Sequence, residues 1–288
     1  MTYTDKAYAK LNLTLDILGR RSDGYHEMNM VMQSIDLSDT VSVTAQDTPE
    51  LTLTCSVPYL PCDDSNIAAK AVRRFFEALE QPVPGLAVHI DKLIPTCAGM
   101  AGGSSDGAAV LRMLRKMYSS DMPGETLESI GALVGSDVPY CVRGGTVLAQ
   151  GRGEILTDLP SLPDCFFVVC KPSFPISTPE LFAQVRVQKL RCHPDTAGMQ
   201  KALAEGDLDG IVHRVYNVFE DVLPRKYAQV FEIKQKMLDL GAMTASMTGS
   251  GPTVFGIFFE ESTAQNALHE LKKEFPATYL CKNAGKSV

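Results

Sequence analysis

Residues Pro95-Thr96-Cys97-Ala98-Gly99-Met100-Ala101-Gly102-Gly103-Ser104-Ser105-Asp106 join a loop of small residues directly to a helical run, and no other segment limits the available folds as much. From Gly107 to Tyr118 the apolar residues Ala108, Leu111, Leu114 and Tyr118 recur at three- and four-residue spacing, with Arg112, Arg115 and Lys116 between them. That is the pattern of an amphipathic helix. Ser104, Ser105 and Asp106 are good N-cap types, so the helix is expected to start there. A helix start offers unpaired N–H groups and the positive end of the macrodipole to whatever fills the loop. Glycines at 99, 102 and 103 permit positive φ and carry no Cβ, so the backbone can wrap closely around a polyphosphate. The loop is not G-x-x-x-x-G-K-[ST], because no lysine precedes its last hydroxyl residue, and it is not G-x-G-x-x-G. A capped helix behind a flexible loop is the ordinary reading of a Gly/Ser cluster; the proline start and the clean helix favour an anion site.

With 288 residues the chain can bury a large core, and usual domain sizes favour two domains. Hydrophobic residues at 45% and charged residues at 21% are ordinary for a soluble globular protein. The formal charge of −7 argues against broad nucleic-acid or anionic-membrane binding, so any phosphate must be held locally. Cysteines at 55, 62, 97, 141, 165, 170, 192 and 281 form no C-x-x-C pair, and the histidines form no H-E-x-x-H unit, so no structural metal site is expected. No apolar leader follows Met1 and no apolar run is long enough for a bilayer; a cytoplasmic protein with reduced thiols is expected. There is no internal repeat or low-complexity tract.

Over residues 8–17, Leu11, Leu13, Leu15 and Ile17 alternate with polar residues, which predicts a strand with one buried face. Period two then sets Lys10, Asn12 and Thr14 together on the other face, where a solvated lysine is the commoner outcome. Asp23-Gly24 is a strong turn signal ahead of the apolar run 28–35, so a hairpin follows, with Tyr25 and His26 near its tip. Strands are expected at 40–44, 51–54 and 86–90, and a helix over 67–79 capped by Ser65 or Asn66. After the loop helix, 126–134 reads as a helix, followed by Asp137 just before Val138-Pro139, where an aspartate is most often a cap or turn former. Two prolines and three acidic residues in 154–164 mark a linker. Beyond it come a strand at 166–170, helices at 178–184, 198–204, 208–212 and 225–240, a strand at 253–259, a helix capped by Ser262 and a last strand at 278–281. This order suggests an α+β chain with a split β-α-β layer.

Residues 95–105 resemble the P-x-x-x-G-[LM]-[AG]-G-G-S-S phosphate loop of the GHMP small-molecule kinases, with Met100 and Ala101 where that family more often has leucine and glycine. Residues 135–145 fit G-[AS]-D-V-P-x-x-[VL]-x-G-G, a second motif of that family, and 249–256 read G-S-G-P-T-V-F-G, a third. The three agree in order and spacing over nearly the whole chain. A-K-L-N-L at 9–13, R-x-D-G-Y-H at 21–26 and N-x-x-E at 217–220 point to the branch that uses a cytidine-diphosphate-linked methylerythritol. The first two are the specific part, since mevalonate, galactose and homoserine kinases share the loop without them.

The resemblance implies a two-domain fold: a mixed nucleotide-binding domain like ribosomal protein S5 domain 2 over 1–157, and a ferredoxin-like split β-α-β domain over 158–288. It implies transfer of the ATP γ-phosphate to the C2 hydroxyl of the methylerythritol, in non-mevalonate isoprenoid biosynthesis. Asp137 would be the general base and Lys10 its charge partner. A hydroxyl is a poor nucleophile until its proton has somewhere to go, and a nearby ammonium keeps the carboxylate ionised and offsets phosphoryl charge. The loop from Pro95 to Ser105 would hold ATP, with Asn66, Ile67 and Lys92 bordering the adenine and Ser104 or Ser105 on Mg²⁺. Asn12 would position the diol, Tyr25 and Phe182 sandwich the cytosine, His26 read its edge and Thr178 close the pocket. No nucleic-acid or membrane partner is expected, and a homodimer is left open. The rival readings are a mevalonate- or sugar-type kinase of the same family, or a non-catalytic nucleotide-binding regulator; Lys10 and Asp137 together disfavour the regulator.

Overall fold

The alternating leucines of the N-terminal segment form β1 (Thr2–Arg20), which turns at Gly24 (φ +86°) into β2 (His26–Ala45). The structure, a computed structural model, describes residues 1–287. Runs 28–35 and 40–44, expected as separate strands, are one strand, because β1 pairs along almost the whole of β2. β1 also departs from the expected single buried face. Leu11 and Leu13 pack in one core with Phe255 and Ile257, whereas Leu15 and Ile17 pack in the other with Met28 and Met30. Register shifts between Tyr8 and Lys10 and between Asn12 and Thr14 let one strand serve both cores. Lys10, Asn12 and Thr14 are therefore buried polar groups instead of a solvated face.

β3 (Leu51–Cys55), α1 (Ile67–Ala78) and β4 (Leu86–Asp91) follow. Asn66 caps α1, its Oδ1 accepting from the Ala68 amide at 2.9 Å, an arrangement worth ~1 kcal/mol. α2 (Gly102–Tyr118) starts earlier than expected: its N-cap position is Ala101, in the left-handed region at φ +58° with no side-chain cap. Ser105 and Asp106 are instead buried inside the helix. α3 (Gly124–Ala132), α4 (Val138–Arg143), β5 (Thr146–Gly151) and β6 (Ile155–Asp158) complete this half. The expected linker 154–164 thus begins with a strand, since β6 satisfies its backbone by pairing with β5.

β7 (Phe166–Cys170), α5 (Thr178–Gln184), α6 (Thr196–Glu205) and α7 (Leu208–Val212) lead to β8 (Tyr216–Asn217), two residues that return to pair in parallel with Thr14 and Leu15 of β1. After two short 3-10 turns, Val218–Val222 and Arg225–Tyr227, come α8 (Gln229–Asp239), β9 (Thr244–Met247), β10 (Val254–Phe258), α9 (Glu261–Lys272) and β11 (Thr278–Lys282). Glu260, not Ser262, stands at the N-cap of α9, without a side-chain cap bond. The first sheet has seven strands, with β3-β4-β2-β1-β8 in line and β5 and β6 continuing from β2. The second runs β11-β7-β10-β9, so β10 lies between β7 and β9 and splits the β-α-β unit as expected. The fold is α+β.

Candidate active site

Lys10 is 4% exposed, and its ammonium donates to Asn12 Oδ1 at 2.7 Å on the face that period two predicted. Burial lowers its pKa below the usual lysine value, and the negative charge of Asp137 pulls the other way. Asp137 lies just before α4 in the αR region, and its side chain makes no capping bond there. Among the described residues it has no side-chain hydrogen bond and no ion pair within 4 Å. An aspartate kept for capping would be bonded to an α4 amide, so this carboxylate is left to act on something else. Cys141, one turn along, cannot be the nucleophile: burial, then the charge of Asp137, hold its thiol far above its ordinary value and so protonated.

The glycine loop lies against the segment 248–251. Gly99 has φ +73°, and a Cβ there would meet the Thr248 carbonyl oxygen at 2.3 Å; a Cβ on Gly249 would meet the Gly99 carbonyl oxygen at 2.7 Å and the Lys10 ammonium at 3.1 Å. The Lys10 amide donates to the Met100 carbonyl at 3.2 Å, which sets the loop on β1. Gly103 is exposed and a Cβ there would touch only Ile67, at 3.5 Å, so the start of α2 is open with its amides uncapped. Asn66 and Ile67, at the start of α1, border this opening. Of the two serines, Ser105 donates to the Tyr8 carbonyl, whereas the Ser104 hydroxyl has no side-chain hydrogen bond among the described residues.

Lys92, expected at the adenine, has its ammonium held by Asp39 and by Asp106 at 2.7 Å, beneath Gly102. Asp39 also accepts the Leu93 and Ile94 amides through Oδ1. With two carboxylates on one buried ammonium, burial pushes the Asp106 carboxyl up to about 8, the pull of Lys92 only partly opposing burial and the Asp39 charge. Its Oδ1, without a partner among the described residues, is the oxygen free to carry the proton. Between the ordinary 3.8 and about 8 the folded chain binds a proton here that the unfolded chain does not. This group's stabilisation is therefore full below about pH 4 and is lost as pH rises to about 8. In thermal melts from pH 5 to 9, Asp106→Asn should flatten the decline in Tm; parallel curves for wild type and variant would refute the raised carboxyl.

At the hairpin tip, His26 stacks on Phe182 with ring centroids 4.9 Å apart and planes 26° apart, and Phe182 meets Phe219 edge-on at 4.9 Å. Burial, then Arg20, lowers the pKa of His26, which favours the neutral ring that can both donate and accept. Tyr25 is 54% exposed, with the Arg152 guanidinium 5.0 Å over its ring. Thr178 and Ser250 share a hydroxyl hydrogen bond of 2.6 Å, which joins α5 to the segment after Gly249. The structure thus brings Lys10 to the glycine loop, Asn12 to Thr248 and Gly249, and His26 to Phe182, while Tyr25 makes no ring contact with Phe182 among the described residues. Sequence reasoning missed Asp39, Arg152 and Thr248 and gave Asp106 only a capping role. Their spacing carries no signal, because tertiary packing alone brings them in. Among the described residues no cluster of three or more His, Cys, Asp or Glu could hold a metal, and no helix is long and apolar enough to cross a membrane.

Residues 66–145 match the family model described as GHMP kinases N terminal domain, and residues 199–277 the one described as GHMP kinases C terminal. A Clostridium perfringens protein named 4-diphosphocytidyl-2-C-methyl-D-erythritol kinase is 40% identical over 270 residues, 94% of this chain and 93% of its own length. One of the same name from Brevibacillus brevis is 42% identical over 272 residues, again 94% and 93%. The crystal structure of a 4-(cytidine 5'-diphospho)-2C-methyl-D-erythritol kinase superposes with TM-score 0.83 at 30% identity, covering 98% of this chain and 100% of that one. Homoserine kinase from Cytophaga hutchinsonii, 17% identical over 99% of this chain and 95% of its own, shares the fold at TM-score 0.76.

Proposed function

This chain belongs to the 4-diphosphocytidyl-2-C-methyl-D-erythritol kinases, a branch of the GHMP kinases, and on that premise we propose that Asp137 and Lys10 move the γ-phosphate of ATP to the C2 hydroxyl of that acceptor. It is an ATP-dependent kinase. The observation that carries the residue assignment is an Asp137 carboxylate that makes no capping bond, together with a buried Lys10 whose own amide holds the glycine loop at Met100. Asp137 takes the hydroxyl proton as the oxygen attacks, and Lys10 offsets the charge on the transferring phosphoryl group. The uncapped amides from Gly102 to Ser104 hold the phosphates. Asn12 turns its Oδ1 to Lys10, which leaves Nδ2, weakly tied to Met30 Sδ at 3.4 Å, to orient the diol.

Ser104, with its free hydroxyl, fits Mg²⁺ carried in on the ATP phosphates, and Ser105 does not, because its hydroxyl is already used on Tyr8. Bound there, the ion would neutralise phosphate charge as the phosphoryl group transfers. We place the division between the two domains at 157/158, one residue before the end of β6 and ahead of the change of sheet between β6 and β7, although β8 crosses back. The cytoplasmic assignment belongs to the same proposal and fits eight cysteines that are all free.

For the acceptor, Phe182, fixed edge-on by Phe219, supplies one face for the cytosine and Tyr25 the other, the base taking the place of His26 on the Phe182 ring and freeing His26 to read its edge. Thr178 closes that pocket from α5. Coupled ADP release with a panel of alcohols tests this reading. Stacking is worth about 1–3 kcal/mol per base, ~5- to 150-fold, so Tyr25→Ala and Phe182→Ala should raise the acceptor KM on that scale and leave the ATP KM unchanged. Equal use of uncytidylylated methylerythritol would remove the cytosine pocket and favour a mevalonate-type acceptor.

A further inference from the structure

We propose that Asn217 and Glu220, the ends of the N-x-x-E motif, are positioning residues for phosphoryl transfer: they hold the segment 246–249 so that the Gly249 amide fixes the Asn12 carboxamide and, through it, the Lys10 ammonium. The inference rests on the assignment of Lys10 above. Asn217 is 1% exposed, and its side chain is fully used. Its Nδ2 donates to the Met247 carbonyl at 2.7 Å and the Gly249 carbonyl at 2.9 Å, and its Oδ1 accepts from the Phe219 amide at 3.0 Å. Only a carboxamide supplies two donors and an acceptor in this arrangement; a carboxylate would set its oxygens against both carbonyls. Glu220 holds the other side of the same segment. Its Oε1 accepts from the Met247 amide at 2.7 Å and the Ser246 hydroxyl at 2.9 Å, while its Oε2 is held by the Lys234 ammonium.

From there the relay is short. The Gly249 amide donates to Asn12 Oδ1 at 3.0 Å, and that oxygen accepts the Lys10 ammonium at 2.7 Å. β8 meanwhile pairs Asn217 with Leu15 of the same strand that carries Lys10 and Asn12. A closed circuit results, from β1 through β8 and Asn217 to Gly249 and back to Asn12. A shift of the Gly249 amide moves the oxygen that, alone among the described residues, accepts from the buried ammonium, and a misplacement of about 1 Å far from the chemistry can cost ~10²-fold.

Steady-state kinetics on the full chain, with ATP and 4-diphosphocytidyl-2-C-methyl-D-erythritol, test this, with kcat expressed per ATP-binding site and Tm measured alongside. Asn217→Ala should lower kcat by ~10- to 100-fold with both KM values within about threefold. In a Lys10→Met background the same change should cost less than about threefold more, because the two would act as a unit. Glu220→Gln keeps the accepting oxygen and should stay within about fivefold of wild type, whereas Glu220→Ala should fall with Asn217→Ala. Near-wild-type kcat in Asn217→Ala, an additive loss on Lys10→Met, or a loss that disappears once counted per binding site would overturn the relay and leave the Lys10 assignment standing. So would a Glu220→Gln as poor as Glu220→Ala. Wild-type kcat in Lys10→Met alone would instead overturn the Lys10 assignment and the relay with it.

Discussion

Asp137→Asn is expected to lower kcat by ~10²–10⁴, the usual loss for a positioned general base, with both substrates still binding. Stability should hardly change. An asparagine caps a helix about as well as an aspartate, and Asp137 makes no capping bond that could be lost. Lys10→Met should lower kcat too, and the double variant should be little worse than the poorer single one, since the base and the ammonium serve one transition state. Single-turnover transfer from γ-labelled ATP separates this from slow product release. A fully active, normally stable Asp137→Asn enzyme would return Asp137 to the role of a turn former.

Gly99→Ala should be the most damaging methyl group in the glycine loop, and Gly103→Val a contrasting case. At Gly99 the new carbon would lie 2.3 Å from the Thr248 carbonyl oxygen and 3.0 Å from the Gly251 amide nitrogen, at φ +73°. Both obstacles are backbone, so the two loops must part or the chain must unfold. A loss of several kcal/mol is in keeping with strain and overpacking together, and ATP and acceptor binding should fail together. At Gly103 the neighbour is the far end of Ile67 at 3.5 Å, so Gly103→Val should melt near wild type and lose ATP affinity alone, as its side chain fills the space left for phosphate. Thermal melts and nucleotide titration decide. Normal ATP affinity in folded Gly103→Val would place the phosphates elsewhere, and a Gly99→Ala protein with wild-type Tm would mean that the loops do not interlock.

What could be read from the chain beforehand was what local rules control. Lys10 and Asn12 two apart on a strand must share a face, and they do; Phe166–Cys170 and Thr178–Gln184 fall where their patterns put them. Failures arise where a distant element satisfies the group instead. Ser105 and Asp106 look like caps, but Tyr8 and Lys92, brought in by β1 and by the segment after β4, take their side chains into the core. Alternation along β1 predicted one buried face because a pattern of period two cannot show a bulge, and the shift near Asn12 is what lets the leucines serve two cores. Asn217 and Glu220 stood out as a motif, yet nothing in their spacing names Gly249, because a side chain's partner 32 residues away is a matter of tertiary packing. Likewise the resemblance alone puts Phe182 at the acceptor, and it is the fold that brings His26 onto its face.

The two-residue strand β8 has a bearing on biosynthesis. Lys10, Asn12, the glycine loop and Asp137 all precede β8 in the sequence, so every group assigned to the chemistry leaves the ribosome before that strand does. The carboxamide that orients the lysine is nevertheless fixed by an amide at position 249, and β1 is not fully paired until 216 and 217 arrive. At translation rates of about 5–20 residues per second, the lysine would remain without that support for roughly 12–48 s after it is made. Phosphoryl transfer would thereby be tied to synthesis of the chain as far as position 249.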